Sequence, residues 1–522
     1  MHHAGLLDDL VRPEAYPGPR PTSVRLITTH ISWVFVTDHD VWKVKRPVDY
    51  GFVDYTTLER RQHFCHEELR VNRRLAPDVY LEVVPIRVHD GRHGFTSTGT
   101  IVDYAVRMRR LDENRSADSL LRGAGLGHEH LARVAERLAA FYATAGPSPA
   151  ARSLDVVRAN VEENFAQVRP FVGRFVDAKT FEAVRAWQLA RLERGAAAFD
   201  AREAQGRIRD GHGDLRLEHV YFERDAPTVI DAIEFNERFR VGDVAADVAF
   251  LAMELDARCR PDLAASFLAT FARDSNDYDL YTVVDFYLSY RAWVRGKVAS
   301  LLAADPSTEP AKAQRKAREA TALFALARSY GEPRGGVRPV IAVGGLIGAG
   351  KSTLATALGV SLGLPVIDSD RTRKGLAGVP ATEEAPMEAY TPAFSEQTFD
   401  EVFRRAEVVV GSGRGVILDA TFRDRALRLR ARGLADRHQR PFRFVEAICD
   451  DATLRARLRA RAAGPSVSDA TEDLLDKIRH EFEPVTELEP DQHLRVDTTH
   501  PSETQLDAVR KALDRIVEGG AR

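Results

Sequence analysis

The stretch Gly345-Leu346-Ile347-Gly348-Ala349-Gly350-Lys351-Ser352 constrains this chain more than any other. It reads G-x-x-x-x-G-K-S, and the apolar run Val340 to Val343 leads directly into it. A strand, a glycine-rich turn and a helix are the only local fold that uses every part of that pattern. Glycines let backbone N–H groups close around phosphate oxygens, and the N-terminus of the following helix adds the positive end of its dipole. Lys351 reaches β- and γ-phosphates and Ser352 ligates Mg²⁺, with Thr353 opening the helix behind them. The pattern predicts a nucleoside-triphosphate site built on Gly345, Gly348, Gly350, Lys351, Ser352 and Thr353, with ATP and Mg²⁺ as cofactors.

At 522 residues the chain is too long for one hydrophobic core, so more than one domain is expected. Apolar residues make up 44% and charged residues 29%, an ordinary globular balance. No apolar run approaches the length of a membrane span, and Met1 to Asp9 lacks the features of a secretory signal. Cys65, Cys259 and Cys449 are scattered and odd in number, which fits a reducing cytoplasm and no disulfide framework. A net charge of −3 argues against a protein that coats nucleic acid. Arginine is abundant and lysine scarce, so Lys43, Lys45 and Lys351 each call for a reason.

Residues 1–21 read as a loosely held lead-in. Short strands are predicted at Val24–Thr28, Val34–Thr37 and Val41–Val44, then a helix from about Tyr55 to Leu75 whose apolar stripe is imperfect, then strands at Val79–Arg87 and Ile101–Met108. The pattern is helical from about Ser116 to Gln205, breaks over Arg207–His219, and returns to helix from Asp243 to Tyr330 around a short apolar strand at Val229–Ile233. Residues 331–339, rich in Gly and Pro, read as a linker. Beyond it, strands at 340–344, 365–367, 416–419 and 443–448 alternate with helices, the rhythm of a parallel sheet covered on both faces. The organisation expected is therefore a 22–330 domain of α+β type, a linker at 331–339, and an α/β domain over 340–522.

The break at His212-Gly213-Asp214-Leu215 is followed by Val229-Ile230-Asp231, where Asp231 is expected to end a strand. One carboxylate in a rigid loop and another at a strand end suit phosphoryl transfer to a hydroxyl: the first accepts the acceptor's proton, the second holds Mg²⁺ against the triphosphate. With Gly242-Asp243 and Asp247-Val248-Ala249 downstream, residues 22–330 resemble the aminoglycoside-phosphotransferase-like kinases, which have a bilobal protein-kinase-like fold. The resemblance implies that Asp214 is the catalytic base, Asp231 a metal ligand and Asp247 a structural support of the catalytic loop. It further implies that Lys43 contacts the α/β-phosphates, with Lys45 on the same strand face as the alternative, and that Glu68 is the ion-pair partner. The chain departs from that family in two places. His219 stands where the family has an Asn metal ligand, so either His219, or Glu218, or Asp231 almost alone holds the metal, although Mg²⁺ prefers oxygen. No G-x-G-x-x-G precedes Lys43, and the loop near Ser32 would cover the phosphates instead. Glu234 and Glu237 read equally well as surface charges.

In the C-terminal part, Val366-Ile367-Asp368-Ser369-Asp370 is expected to end a strand, with Arg373 and Lys374 behind it. Ligands of open α/β sheets bind beyond the carboxyl ends of strands, which puts Asp370 at the γ-phosphate. Asp370-x-x-Arg373 resembles the spacing in polynucleotide 5′-hydroxyl kinases and related small-molecule P-loop kinases. By that resemblance Asp370 is the base and Arg373 orients the acceptor. Asp419, closing Val416-Ile417-Leu418, could hold the Mg²⁺ water shell or the acceptor. Of Arg455, Arg457, Arg459 and Arg461, the pair Arg457 and Arg461 lies one helical turn apart and is the choice for lid arginines that stabilise the transferring phosphoryl group. Asp469 matches a recurring lid-end pattern without an assigned role. Residues 338–522 resemble zeta-toxin-like and gluconate-kinase-like P-loop kinases, and the fusion resembles bacterial two-domain proteins of this build.

The expected function is an ATP- and Mg²⁺-dependent phosphotransferase of the cytoplasm with two nucleotide sites and a small-molecule hydroxyl acceptor such as a sugar, aminocyclitol or nucleoside. Two alternatives stand beside it. In one, the N-terminal domain is a non-catalytic ligand-binding regulator. In the other, the P-loop domain is a polynucleotide 5′-hydroxyl kinase, which the near-neutral charge disfavours.

Overall fold

Alternation in Asp40-Val41-Trp42-Lys43-Val44-Lys45 decides how the first sheet is built. Trp42 and Val44 point to one face and join Phe35, Ile86, Phe95 and Ala105 in a buried cluster, while Lys43 and Lys45 fall on the other face. The computed structural model describes residues 5–146, 153–336, 338–462, 464 and 466–519; Met1–Ala4 of the expected lead-in and Val337 of the linker lie outside them. The chain divides into two compact units, Met1–Glu163 with Phe199–Glu254, and Asn164–Ala198 with Leu255–Arg522.

The first unit is α+β. Strands β1 (Arg25–Thr28), β2 (Ser32–Val36), β3 (Asp40–Lys45), β4 (Tyr80–His89), β5 (Arg92–Gly94) and β6 (Thr100–Arg109) form an antiparallel sheet of order β1-β2-β3-β6-β4-β5. The helix Leu58–Asn72 starts where the Thr57 side chain accepts the Arg60 N–H. Its buried residues are Arg61, Cys65, Glu68, Val71 and Asn72. The stripe looked imperfect in sequence because its inward face carries charge and amide groups with partners: Arg61 donates to Asp103, and Glu68 meets the two lysines of β3. Below lie two small ribbons. Strand β7 (Ile208–Asp210) pairs with β10 (Val241–Asp243), and β8 (Val220–Tyr221) pairs with β9 (Thr228–Val229).

The strand expected over Val229–Ile233 is therefore cut short, since β9 stops at Val229. From there the chain is captured by other groups. The Asp231 N–H donates to the Tyr80 hydroxyl at 3.0 Å, and Ala232 exchanges hydrogen bonds with the Asn72 side chain. Asp231 itself sits at φ 65°, a left-handed conformation that Asp tolerates better than most residues.

The second unit holds helices from 164–198 and 255–330 together with an α/β sheet. In that sheet β11 (Val340–Gly344), β12 (Val366–Asp368), β13 (Val416–Asp419), β14 (Phe442–Ile448) and β15 (His493–Asp497) run parallel in the order β12-β13-β11-β14-β15. The fold classes read from sequence, α+β and then α/β with a parallel sheet, are both found. Strand β15 was not anticipated: it is an edge strand in which only Val496 is buried, so its sequence carries almost no apolar signal. Among the described residues no helix is long and apolar enough to cross a membrane.

Helices Val284–Ala304 and Pro310–Ser329 pack closely, with Gly296 directly under the Phe324 ring. A Cβ at Gly296 would lie 2.7 Å from that ring, and Phe324 is itself held by Trp293 with ring centroids 4.7 Å apart. Gly296→Ala gains about 1 kcal/mol of helix propensity but overpacks this crossing at a cost of about 1–3 kcal/mol. A lower thermal midpoint is expected by scanning calorimetry; a raised one would mean that Phe324 yields freely.

Candidate functional site

In the first unit, strand, helix and loop bring one cluster of charge together. Lys43 Nζ lies 2.7 Å from Asp231 Oδ1 and 2.8 Å from Glu68 Oε1. Lys45 Nζ lies 2.8 Å from Glu68 Oε2 and also contacts Glu234. Sequence reading left Lys43 and Lys45 as alternatives for one role; the structure gives both to Glu68. Glu234 is not a surface charge: it is 6% exposed, bonded to Lys45 and to the Tyr55 hydroxyl at 2.7 Å, whereas Glu237 is exposed. Burial alone would lower the pKa of Lys43, but Asp231 and Glu68 hold it well above the usual lysine value. Burial works against the Asp231 charge too, yet Lys43 beside it keeps that carboxyl well below its ordinary value. Its side chain stays 43% exposed, so one side remains open.

His219 lies between the two aspartates. Nδ1 is 2.8 Å from the Asp214 carbonyl oxygen and Nε2 is 3.5 Å from Asp231 Oδ2. A ring N–H given to a backbone carbonyl fixes the tautomer that leaves the other nitrogen's lone pair free, the usual preparation of a metal-ligating histidine. Glu218 is farther out, 3.8 Å from Nε2, and pairs with Arg216. The Asp214 loop is held from below by Asp247. One carboxylate oxygen accepts the His212 N–H at 2.6 Å and the Tyr142 hydroxyl at 2.7 Å; the other accepts the Gly213 N–H at 2.9 Å. Burial keeps His212 neutral, its Nε2–H donating to the Ile230 carbonyl at 2.8 Å and its Nδ1 accepting the Asp214 N–H. Ser32 is fully buried; the exposed part of the hairpin tip is Thr29 and His30, whose carbonyls accept from Arg46.

In the second unit the glycine-rich loop has the geometry its motif requires. Gly345 adopts φ 130° and a Cβ there would lie 2.3 Å from the Ala447 carbonyl oxygen, while Gly350 at φ 86° heads the helix Lys351–Leu362. Lys351 Nζ folds back to the Leu346 carbonyl at 2.8 Å. Burial lowers its pKa, with Asp419 and Asp370 opposing. Asp370 does not end a strand. Strand β12 stops at Asp368, which caps the helix Ser369–Leu376 through the Arg371 N–H at 2.7 Å, and Asp370 sits in that helix's first turn. Burial raises the Asp370 pKa and the neighbouring Asp368 adds to it.

Asp368 is the group that sequence reading quoted without assigning. It stands opposite Asp419 at the paired ends of β12 and β13, and burial together with the Asp419 charge pushes its pKa up to about 7. Two buried carboxylates at neighbouring strand ends, each with its pKa raised, are with Ser352 a donor set that suits one hard cation. The signal was present in the D-x-D spacing, but one strand-end aspartate hid the other.

Arg373 is 9% exposed and donates to Ser395 Oγ at 3.2 Å and to the Ala389 carbonyl; its guanidinium lies over the Tyr390 ring. Its buried Nε has no hydrogen-bond partner among the described residues. The arginines of the helix Asp451–Ala462 separate by face. Arg455 and Arg459 pair with Glu472. Arg457 is committed to Thr498, donating to Oγ1 and to the carbonyl at 2.8 Å each, under the loop residue Gly348. Arg461 acts electrostatically on Lys351. Asp469 gains a place: it accepts from Lys374 at 2.8 Å, from the Ala385 N–H at 3.1 Å and from the Tyr390 hydroxyl.

Because the folded chain keeps the Asp368 proton that an unfolded chain gives up in the ordinary aspartate range, stability falls as pH rises from about 4 to about 7. Asp368→Asn keeps the cap and removes that loss. Calorimetry in EDTA should show the variant more stable than the parent at pH 8, by on the order of 4 kcal/mol at about 1.4 kcal/mol per pKa unit, and little changed at pH 4. An equal effect at both pH values would refute the raised Asp368 pKa.

A family described as an AAA domain matches residues 340–485. The structure is similar to that of a gluconokinase from Sinorhizobium meliloti 1021, at 21% identity over 35% of this chain and 94% of that one, TM-score 0.27. It is also similar to the GDP complex of wild-type aminoglycoside 2'-phosphotransferase-IIIa, at 13% identity over 63% of this chain and 99% of that one, TM-score 0.36. Over nearly its whole length the chain is similar to the uncharacterized proteins Rv2004c of Mycobacterium tuberculosis (strain H37Rv) and Mb2027c of Mycobacterium bovis, each 30% identical over 513 residues, covering 94% of this chain and 96% of the relative. At that identity and coverage the chain belongs to the same family as these mycobacterial proteins, with a P-loop kinase domain at its C-terminal end.

Proposed function

We propose that the chain is an ATP- and Mg²⁺-dependent phosphotransferase with two nucleotide sites, each passing the γ-phosphoryl group to a hydroxyl of a small molecule in the cytoplasm. The observation that carries the reading is the convergence of Lys43 on Glu68 and Asp231, from a strand, a helix and a loop, beside the loop of Asp214. A lysine fixed in this way is ready to meet phosphate oxygens without losing side-chain freedom at the moment of binding. Asp214 accepts the proton of the acceptor hydroxyl, and Asp247 keeps its loop in place through the His212 and Gly213 N–H groups.

The second site works with the same parts in another fold. Loop N–H groups and Lys351 bind the triphosphate, leaving the Leu346 carbonyl as they do so. Asp370 is the base, and a carboxyl whose pKa is raised by burial suits proton acceptance near neutral pH. Arg373, with its Nε unpartnered among the described residues, orients the acceptor. Arg461 is the lid arginine nearest Lys351 in its electrostatic effect, and Arg457 holds the loop against Thr498. Mg²⁺ would be held by Asp231 with His219 in the first site and by Ser352, Asp419 and Asp368 in the second, where it would neutralise charge on the β- and γ-phosphates. The His219 ring nitrogen facing Asp231 could stand in for the missing asparagine ligand, which weighs against the alternative in which the first half only regulates.

The chain should be incubated with ATP, Mg²⁺ and a pooled metabolite extract and read by mass spectrometry. A metabolite gaining one phosphoryl group should lose that gain in only one of Asp214→Ala and Asp370→Ala, each lowering its own site's turnover by roughly 10²–10⁴-fold. Lys351→Ala should cost the second site about 3 kcal/mol of transition-state stabilisation. Proportional loss at both sites from either aspartate variant would instead mean one composite site, and no gain with ATP still bound would sink the small-molecule reading.

A further inference from the structure

The helix Ser369–Leu376 carries Asp370 and Arg373 and is 8 residues long, too short to hold its own orientation in water. It follows β12, which is an edge strand with β13 as its one sheet neighbour. Much of what fixes the pair therefore comes from outside the sheet: Arg373 and Lys374 are held by Ala389, Ser395 and Asp469, and within the second unit residues 274–279, upstream of the linker, add a second set of contacts. The Tyr278 hydroxyl donates to the Val366 carbonyl of β12. Asn276, at φ 52°, lays its amide against the helix backbone, where a Cβ on Gly375 would be 2.4 Å from Asn276 Nδ2. Between them lies Arg405, 6% exposed, which donates to Asn276 Oδ1 at 2.7 Å and to Thr372 Oγ1 at 3.2 Å, and whose guanidinium covers the Tyr278 ring at 5.4 Å. Thr372 Oγ1 in turn donates to the Asp368 carbonyl at 2.7 Å.

We infer that Asn276 and Tyr278 are positioning residues of the P-loop site: through Arg405 and Thr372 they set the orientation of the helix that presents Asp370 and Arg373. The inference rests on the reading of Asp370 as the base of that site. Two of the clamp's contacts fall on Thr372 and Gly375, on either side of Arg373, and a third on the main chain of Val366, so a shift of the clamp moves both functional side chains together. Residues after the linker would on this view bind nucleotide without delivering an acceptor correctly unless the preceding helices are in place.

The test uses the full chain carrying Asp214→Ala, so that only the second site turns over, with ATP hydrolysis to water as the reaction followed and MgATP affinity measured by calorimetry. Asn276→Ala and Tyr278→Phe are expected to lower turnover at least 10-fold with MgATP affinity within 3-fold of the parent, because neither touches the glycine-rich loop. Asn276→Asp keeps an acceptor for Arg405 and a tolerance for positive φ, and should retain turnover within 3-fold. Turnover unchanged in Asn276→Ala and Tyr278→Phe overturns the proposal, as does a joint fall of turnover and affinity with a lowered melting temperature in all three variants. Asp370→Ala in the same background separates the premises: if hydrolysis persists there, the site assignment fails and takes this inference with it; if Asp370→Ala is impaired and the clamp variants are not, only the positioning role fails.

Discussion

Glu68 is fully buried and holds two lysines at once, one on each carboxylate oxygen. Much of the first unit's site follows from that arrangement. Lys43 and Lys45 are two residues apart on β3, so they share a face, and only a helix crossing that face can offer one carboxylate to both. Against these two cations stand Glu68, Glu234 and Asp231, one negative charge in excess. A buried network of this kind tolerates the loss of no single member, since breaking such a pair strands a charge at a cost of about 3–5 kcal/mol. The excess falls on the most exposed of the three carboxylates, Asp231, which is also the one facing His219. The network thus fixes its cations and leaves its surplus negative charge where a ligand can reach it.

The second unit meets the same electrostatic problem without a second lysine. Lys351 is within electrostatic reach of Asp368, Asp370 and Asp419, and burial raises the pKa of all three carboxyls. In one unit an ion-pair network carries the charge; in the other, burial raises the pKa of Asp368, Asp370 and Asp419, which a divalent cation would counter. Two unrelated folds arrive at a carboxylate excess beside a fixed lysine because the triphosphate, with its metal, brings both the negative and the positive charge that each site lacks.

The parts legible in the sequence were those in which one residue type has one reason to be present. Gly345, Gly350 and Lys351 could be read because backbone conformation and phosphate contact both demand them, and the parallel rhythm of β11 and β13 because strands buried on both faces are apolar up to the strand-end residue that meets the ligand. Where a position answers to two demands, its signal cancelled. The inward face of Leu58–Asn72 mixes Val71 and Cys65 with Arg61, Glu68 and Asn72, so a periodicity built on hydrophobicity saw a blurred helix. Asp231 follows apolar residues that look like strand, but its conformation is set by Tyr80, Asn72 and Lys43 from distant segments. Asp368 was overshadowed by Asp370, and only the distance to Asp419, some fifty residues on, separates their roles. Local pattern cannot report partners that tertiary folding supplies.

The linker shows the same limit from the other side. Residues 331–339 have the glycine and proline content of a loose joint, and composition does describe the freedom of their backbone. It says nothing about anchoring by side chains. Arg334, inside that segment, pairs with Asp285, and Arg414, just ahead of the strand that carries Asp419, reaches the same carboxylate at 2.6 Å. Asp285 is buried, which would raise its pKa, yet the two guanidinium groups hold it below its ordinary value, so the contact stays charged across the physiological range. One acidic residue on a helix before the linker therefore ties together the linker and a strand after it. A segment that reads as a boundary in sequence is, within the second unit, a place where the chain is fastened, and that fastening is what lets residues upstream of it reach the edge strand and the short helix that carries Asp370.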